Sequence, residues 1–123
     1  MRILVIDDEE RIQEVIQISL EILKGWEVLT ASSGTEGLIK AQNHQPDVIL
    51  LDVSMPQLDG FGTLEKLRSN PTIQAIPVIF LTARVQLADR QQFAELDLAG
   101  VIIKPFDPLL LADQITAVME VSP

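Results

Sequence analysis

Polar side chains that could do chemistry stand where short apolar runs of the chain end. They are Asp7, Asp8, Asp52, Thr82 and Lys104. Three carboxylates held together repel one another and raise one another's pKa unless a cation lies among them. One lysine leaves such a cluster short of positive charge. Oxygen ligands, some waters and an incoming phosphoryl oxygen are what Mg²⁺ prefers, and Mn²⁺ could substitute for it. We therefore predict a Mg²⁺ site.

The ligands can be assigned from the same residues. We expect Asp8 and Asp52 to bind the ion directly and Asp7 to bind it through water. The backbone carbonyl of Ser54 could complete the set.

Asp52 has a second possible role, because a carboxylate can attack phosphorus and form an acyl phosphate. Phosphoryl transfer depends mainly on alignment and charge neutralisation, so a metal, a lysine and a hydroxyl are sufficient. We predict that Asp52 is the phosphoacceptor. Lys104 would bind one phosphoryl oxygen as a point charge, and the Thr82 hydroxyl would donate to another.

These side chains can meet only if the strands that carry them lie in one sheet and end on the same side of it. The apolar runs lie at 3–6, 26–30, 48–51, 78–81 and 101–103. The first, third and fourth are apolar throughout, as in strands buried on both faces of a parallel sheet, whereas the alternating second run favours an edge strand. Alternation of strand and helix predicts an α/β domain with right-handed crossovers, whose functional crevice lies at the carboxyl ends of the strands.

Five segments have the spacing or caps of helices. They cover 10–23, the stretch opened by the capping-box pattern 33–36, the stretch from after Asp59-Gly60 to before Asn70-Pro71, 86–96, and the stretch opened by Asp107 as N-cap and Pro108 as first helical residue. Their predicted core residues are Ile12, Val15, Ile16, Ser19, Leu20 and Leu23 in the first, Leu87, Phe93 and Leu96 in the fourth, and Leu111, Ile115 and Val118 in the fifth.

Length and composition limit the remaining choices. A chain of 123 residues fits one domain over 1–123, and the absence of cysteine excludes disulfides, thiolate metal sites and a cysteine nucleophile. The apolar runs are too short for a membrane span or a signal peptide, which leads us to expect a cytoplasmic protein. A net charge of −9 argues against direct nucleic-acid binding and favours a protein partner.

Four stretches, 3–9, 51–60, 81–83 and 104–106, resemble the receiver (CheY-like) domain of two-component response regulators. The likeness runs from Arg2 through the last helix. It implies a flavodoxin-like doubly wound fold, with a five-stranded parallel sheet of order 2-1-3-4-5 and helices on both faces. It also implies a non-enzymatic phosphoacceptor, to which a histidine kinase or histidine phosphotransfer protein donates from a phosphohistidine, and whose acyl phosphate later hydrolyses.

The resemblance carries further expectations. The Lys104-Pro105 peptide would be cis, and phosphorylation would draw Thr82 inward and reshape the face of the fourth helix, fifth strand and fifth helix for a downstream protein. Val101 departs from the family, because receivers commonly carry Tyr or Phe there. Ser54 and Arg84 occupy positions that tune the lifetime of the acyl phosphate.

Other functions remain open. One is a degenerate receiver that binds proteins without being phosphorylated, which Val101 favours. Another is a Mg²⁺-dependent phosphatase with an aspartate nucleophile, although residues 53–55 lack the second acid that protonates a leaving group. A flavin carrier is a weaker alternative, because Asp7 and Asp8 would repel a cofactor phosphate.

Several residues have a structural interpretation beside a functional one. We expect His44 to be a surface cation at a helix end, Asp59-Gly60 to form a turn and cap a helix, and Trp26 to pack at an edge strand. A stripe of Arg11, Val15, Ile18 and Ile22 on the first helix either docks a helical partner or packs against the fifth helix.

Overall fold

The structure is a computed structural model that describes residues 1–83 and 86–121. Residue 121 is described by its backbone alone. Its strands are β1 (Arg2–Ile6), β2 (Glu27–Ala31), β3 (Val48–Asp52), β4 (Val78–Thr82) and β5 (Gly100–Ile103). Its helices are α1 (Glu10–Lys24), α2 (Gly34–His44), α3 (Gly60–Arg68), α4 (Leu87–Ala94) and α5 (Leu111–Val121).

The five strands form one parallel sheet in the order β2-β1-β3-β4-β5. Strand and helix alternate along the chain, so every connection between parallel strands is a crossover. The predicted α/β class, the five strands, their order and the two edge strands are confirmed. The carboxyl ends of β1, β3, β4 and β5 therefore lie side by side at the same end of the sheet.

Two apolar cores cover the two faces of the sheet. Successive residues of a strand point to opposite faces, and Leu4 and Ile6 accordingly pack in one core while Ile3 and Val5 pack in the other. The first core lies under α2, α3 and α4, and the second under α1 and α5. The predicted placement of helices on both faces is confirmed.

Local signals begin and end several helices. The Ser33 side chain accepts from the backbone N–H of Glu36, and the Glu36 carboxylate accepts from the N–H of Ser32, so this capping pattern is shifted by one residue on its return contact. The Asp59 side chain caps α3 by accepting from Gly62, as predicted. Gly25 ends α1 with φ of 67°, a left-handed conformation that glycine adopts at little cost.

Two helix predictions are wrong in detail. The fifth helix begins at Leu111, because the Asp107 side chain and carbonyl accept from Leu109 and Leu110 and form a separate turn there. The fourth helix is shorter than 86–96, and Leu87, predicted as a core contact, is 71% exposed. Phe93 is buried and Leu96 packs against it, as predicted.

The predicted core stripe of α1 is too wide. Ile16 and Leu20 are fully buried and Ile12 packs beside them, but Val15 and Leu23 are exposed. Helix α5 packs beside α1 but does not cover the stripe of Arg11, Val15, Ile18 and Ile22. Ile22, for example, is 76% exposed.

Other residues lie where the sequence predicted them. Trp26 packs against the core of the α1 face, and His44 is an exposed residue in the last turn of α2.

Within the described ranges, no helix is both long and apolar enough to cross a membrane.

Candidate functional site

Asp7 is the first residue after β1, and its backbone N–H and both of its carboxylate oxygens have polar partners. Its backbone N–H donates to Ala31 at the end of β2, at 3.0 Å. One carboxylate oxygen accepts from the N–H of Glu9 at 2.9 Å, and the other faces Lys104. The residue has no exposed surface, although it carries a carboxylate, so its contacts have to replace water.

Lys104 joins the ends of three strands through one ammonium group. Its Nζ lies 3.2 Å from Asp7 Oδ2 and 3.2 Å from Asp52 Oδ1, although Asp7 is 97 residues away in sequence. The backbone N–H of Lys104 donates to the carbonyl of Thr82 at 2.8 Å, which extends the β4–β5 pairing beyond β5. The Lys104-Pro105 peptide is cis, as expected.

Asp7, Asp8 and Asp52 form an acid cluster, in which one carboxylate oxygen of each residue lies within 4.8 Å of the others. Asp7 and Asp52 are buried, whereas Asp8 is exposed. Lys104 contacts only two of these three carboxylates, so negative charge is left uncompensated in the cluster. All the side-chain atoms that could bind a metal are hard oxygens. The cluster therefore fits a divalent cation such as Mg²⁺.

Burial and neighbouring charges shift the pKa of three side chains at this site. The pKa of Asp52 is raised from 3.8 to about 6, mainly by burial and secondly by the negative charge of Asp7. Lys104 and the N–H of Ser54 oppose this shift. Burial also raises the pKa of Asp7. Burial alone would lower the pKa of Lys104, but the charges of Asp7 and Asp52 outweigh it and raise that pKa. Without a cation, Asp7 and Asp52 therefore bind a proton more readily than exposed aspartates do.

Comparison with known proteins identifies the family. Residues 3–116 match the response regulator receiver domain. The chain belongs to this receiver family. The chemotaxis response regulator CheY4 of Vibrio cholerae has 32% identical residues and superimposes with a TM-score of 0.87, over 95% of this chain and 97% of that one. A phosphoacceptor role in signalling fits this membership, and receiver domains are typically not enzymes.

Curated relatives are similar over most of this receiver domain. The probable transcriptional regulator ycf27 of Porphyra purpurea is 39% identical over 96% of this chain and 47% of its own length. The alkaline phosphatase synthesis transcriptional regulatory protein PhoP of Bacillus subtilis is 38% identical over 96% of this chain and 48% of its own length. The chain spans about half the length of these curated relatives.

Thr82 and Ser54 lie beside the acid cluster of the receiver. Thr82 ends β4 next to Leu81, which pairs with Asp52 across the sheet, and its side chain is buried and held by contacts of its own. Ser54 is exposed, and its N–H donates to the Asp52 carboxylate. Arg84, the other predicted tuning position, lies outside the described residues.

Gly60 supports Asp52 from behind. It begins α3 directly against β3, and its N–H donates to the carbonyl of Val53 at 2.9 Å. A Cβ atom on Gly60 would lie 2.7 Å from the carbonyl oxygen of Asp52 and 2.7 Å from the Cα of Val53. Only a residue without a side chain allows this approach.

Val101 lies on β5 of the receiver at a groove of about 370 Å³ between α4 and β5, and is 37% exposed. Behind α4, the rings of Phe61, Phe80 and Phe93 form an aromatic trio with centroids 5.5 to 6.0 Å apart. Phe80 and Thr82 point to the same face of β4, because side chains alternate along a strand. The trio therefore packs under α4, on the face of β4 to which Thr82 points.

Sequence reasoning missed Gln13, which contacts the backbone of the acid cluster. Gln13 is buried on α1, and its Nε2 donates to the carbonyl of Asp7. Its position three residues before Ile16 and seven before Leu20 was a usable signal, because a glutamine on the buried stripe of a helix needs hydrogen-bond partners inside the protein.

Proposed function

We propose that residues 1–123 form one receiver domain that takes a phosphoryl group onto Asp52, in the cytoplasm, from a phosphohistidine of a histidine kinase or histidine phosphotransfer protein. The observation that supports this most strongly is the position of Lys104, whose ammonium lies at equal distance from Asp7 and Asp52. An ammonium group in this position neutralises part of the charge of Asp52 and could also bind an oxygen of a phosphoryl group that arrives there.

We propose that Asp7, Asp8, Asp52 and the backbone carbonyl of Ser54 hold Mg²⁺, with Mn²⁺ as a substitute. The convergent carboxylate oxygens and the uncompensated charge support this assignment. A bound Mg²⁺ would supply positive charge to the oxygens of the transferring group. Asp7 would keep its contact with Lys104 while contributing to this site.

In the transfer step, one Asp52 carboxylate oxygen forms a bond to phosphorus while the bond from phosphorus to the donor imidazole nitrogen breaks. The imidazole leaves with the electron pair of that bond and takes up a proton. The Lys104 ammonium would move from Asp52 toward a phosphoryl oxygen, and the Thr82 hydroxyl would donate to another. Hydrolysis of the acyl phosphate releases phosphate and returns Asp52 to a carboxylate. The side chains of the domain would thus assist both its own phosphorylation and its slow dephosphorylation.

The output would be a change in the surface made by α4, β5 and α5, read by a downstream protein. Thr82 lies at the end of β4, whose preceding residue on the same face, Phe80, packs against Phe93 of α4. Movement of Thr82 toward a phosphoryl group would therefore reach α4 through this strand. The net charge of −9 supports a protein target for these residues in preference to nucleic acid.

Incubation with phosphoramidate and MgCl₂, followed by intact mass spectrometry, tests the acceptor. We expect wild-type protein to gain one phosphoryl group and Asp52→Asn to gain none. Asp47→Asn is the matched control, because Asp47 immediately precedes β3 at the opposite end of the same strand. EDTA should prevent the modification in wild-type protein.

Two outcomes would contradict the proposal. Modification that persists in Asp52→Asn would place the acceptor elsewhere. Wild-type protein that gains no phosphoryl group at saturating Mg²⁺ would instead favour the alternative of an unphosphorylated protein-binding receiver, for which the absence of an aromatic side chain at Val101 is the supporting observation.

A further inference from the structure

The side chain of Gln13 lies against the turn that carries Asp7 and Asp8. Its Nε2 is 2.5 Å from the carbonyl oxygen of Asp7, 3.1 Å from Ser32 Oγ and 3.3 Å from the carbonyl oxygen of Ala31. Carbonyl oxygens can only accept, so the NH₂ group of the amide has to face them. One buried side chain therefore connects α1, the end of β1 and the loop after β2.

The bond to Asp7 fixes the backbone that leads to Asp8. The Asp7 carbonyl belongs to the peptide unit that ends at the Cα of Asp8, and a peptide unit is planar. The N–H of Asp7 donates to Ala31. With its carbonyl held by Gln13 as well, both backbone polar groups of Asp7 have partners, and the start of Asp8 has one orientation.

Asp8 depends on this support more than the other two acids do. Asp7 and Asp52 are buried and contact Lys104, whereas Asp8 is exposed. Its carboxylate stands in the acid cluster because its backbone is placed there. A shift of the Asp7–Asp8 peptide would move this oxygen away from the other two.

We propose that Gln13 is a positioning residue that holds Asp8 in the acid cluster and so sets the affinity of the domain for its divalent cation. This inference rests on the proposed function. Residues that orient metal ligands through hydrogen bonds commonly change metal affinity by about 10-fold or more when they are replaced. Gln13 acts through the backbone and touches no reacting atom.

The variant Gln13→Met tests this role. Methionine is unbranched and of similar length, so it fills the same space, but it cannot donate to the Asp7 carbonyl. Gln17→Met is the matched control, because Gln17 is also on α1 and its Nε2 contacts the Glu21 side chain at the surface. Gln13→Leu serves as a second apolar variant if Gln13→Met does not fold.

Two measurements separate positioning from a merely structural role. The first is the Kd for Mn²⁺, measured from the electron paramagnetic resonance signal of the free ion, with no phosphoryl donor present. The second is the rise in melting temperature that Mg²⁺ causes in each protein, because a cation that binds the folded state stabilises it according to its affinity.

We expect Gln13→Met to raise the Kd for Mn²⁺ about 10-fold and to show a smaller Mg²⁺-dependent rise in melting temperature, while Gln17→Met matches wild type. If Gln13→Met has the wild-type Kd and loses melting temperature equally with and without Mg²⁺, Gln13 is structural and this inference fails alone. If wild-type protein binds no Mn²⁺, the inference and the proposed metal site fail together.

Discussion

The acid cluster and the aromatic trio lie at neighbouring strands but are held by different forces. Around the acid cluster, Lys104 contacts Asp7 and Asp52 through directional polar bonds that join segments distant in sequence. Around the trio, the ring of Phe93 stacks on Phe61 and meets Phe80 edge to face, which are apolar contacts. The first arrangement fixes atoms in place, and the second allows small changes of position at low cost.

This difference matches the two tasks of a receiver. Phosphoryl transfer requires alignment of reacting atoms, which polar bonds provide. A response requires an element with few restraints, and elements that move are drawn from the least stable parts of a fold. Of the eight residues of α4, all within the described ranges, Phe93 alone is buried. Helix α4 is therefore attached to the sheet mainly through one side chain.

Removing the ammonium of Lys104 should produce the largest effect. We expect Lys104→Met to lower the rate of phosphorylation by phosphoramidate by about 10³-fold, because one preorganised charge at a transferring group is worth about that much. Lys24→Met is the control, since Lys24 forms an exposed pair with Asp113. Rates measured by intact mass decide the matter, and a loss under about 10-fold would show that Lys104 does not bind the phosphoryl group.

Truncating Phe93 should affect stability and spare the chemistry. Phe93→Ala removes most of a buried ring, and we expect a loss of about 3 kcal/mol in the free energy of unfolding measured in urea. The initial phosphorylation rate should stay within about 3-fold of wild type, because the polar bonds that hold the acid cluster do not involve Phe93. A parallel fall of stability and rate would refute the separation of the two regions.

The acid cluster should also leave a signature in the pH dependence of stability. The folded protein keeps a proton on Asp52 up to about pH 6, whereas the unfolded chain releases it near pH 4. Without metal, the free energy of unfolding contributed by Asp52 therefore falls as pH rises through this window and is constant above it.

In EDTA, we expect Asp52→Asn to become more stable relative to wild type by about 2 kcal/mol between pH 4.5 and pH 7.5. Urea unfolding at several pH values measures this difference. Mg²⁺ at pH 7.5 should reduce the advantage of the variant, because the cation stabilises wild type by binding to it. A difference that does not change with pH would mean that the pKa of Asp52 is not raised.

Arg68 offers a smaller test on the side of the aromatic trio. Its guanidinium donates to the carbonyls of Gln74, Ile76 and Asp97 at 2.8 to 2.9 Å and so links α3 with the loops before β4 and β5. We expect Arg68→Lys to lose about 1 kcal/mol in urea unfolding, because one ammonium cannot reproduce the planar fork. Arg90→Lys on α4 should be near neutral, and equal losses in both variants would contradict the assigned role.

Much of the fold could be predicted because its signals are local. A strand buried on both faces, such as β3, is apolar up to its last residue, and the acids that follow β1 and end β3 mark the carboxyl end of the sheet. Asp7, Asp8, Asp52 and Lys104 were predicted to meet, and the structure brings their side chains together. Their catalytic and metal-binding roles stay predictions.

The remaining features depend on contacts between distant segments. Leu87 has the right residue type and spacing for a core position, but the core under α4 is already filled by Phe93. Gln13 lies on the apolar stripe of α1, but its contact with Ser32 in the loop after β2 could not be predicted from the sequence. Arg68 gives no sign in the sequence that three carbonyls of two loops will surround it. Periodicity predicts which face of a helix is apolar, and not which partner reaches it.

The approach of Gly60 to the backbone of Asp52 has a consequence for the position of the proposed phosphoacceptor. A methyl group at that position would lie closer to the carbonyl oxygen of Asp52 and the Cα of Val53 than real Cβ atoms come, so the helix or the strand would have to shift. In-line attack on phosphorus tolerates little misplacement of the attacking oxygen. The position of the proposed attacking oxygen of Asp52 thus depends on a contact between backbone atoms, at a residue that has no side chain.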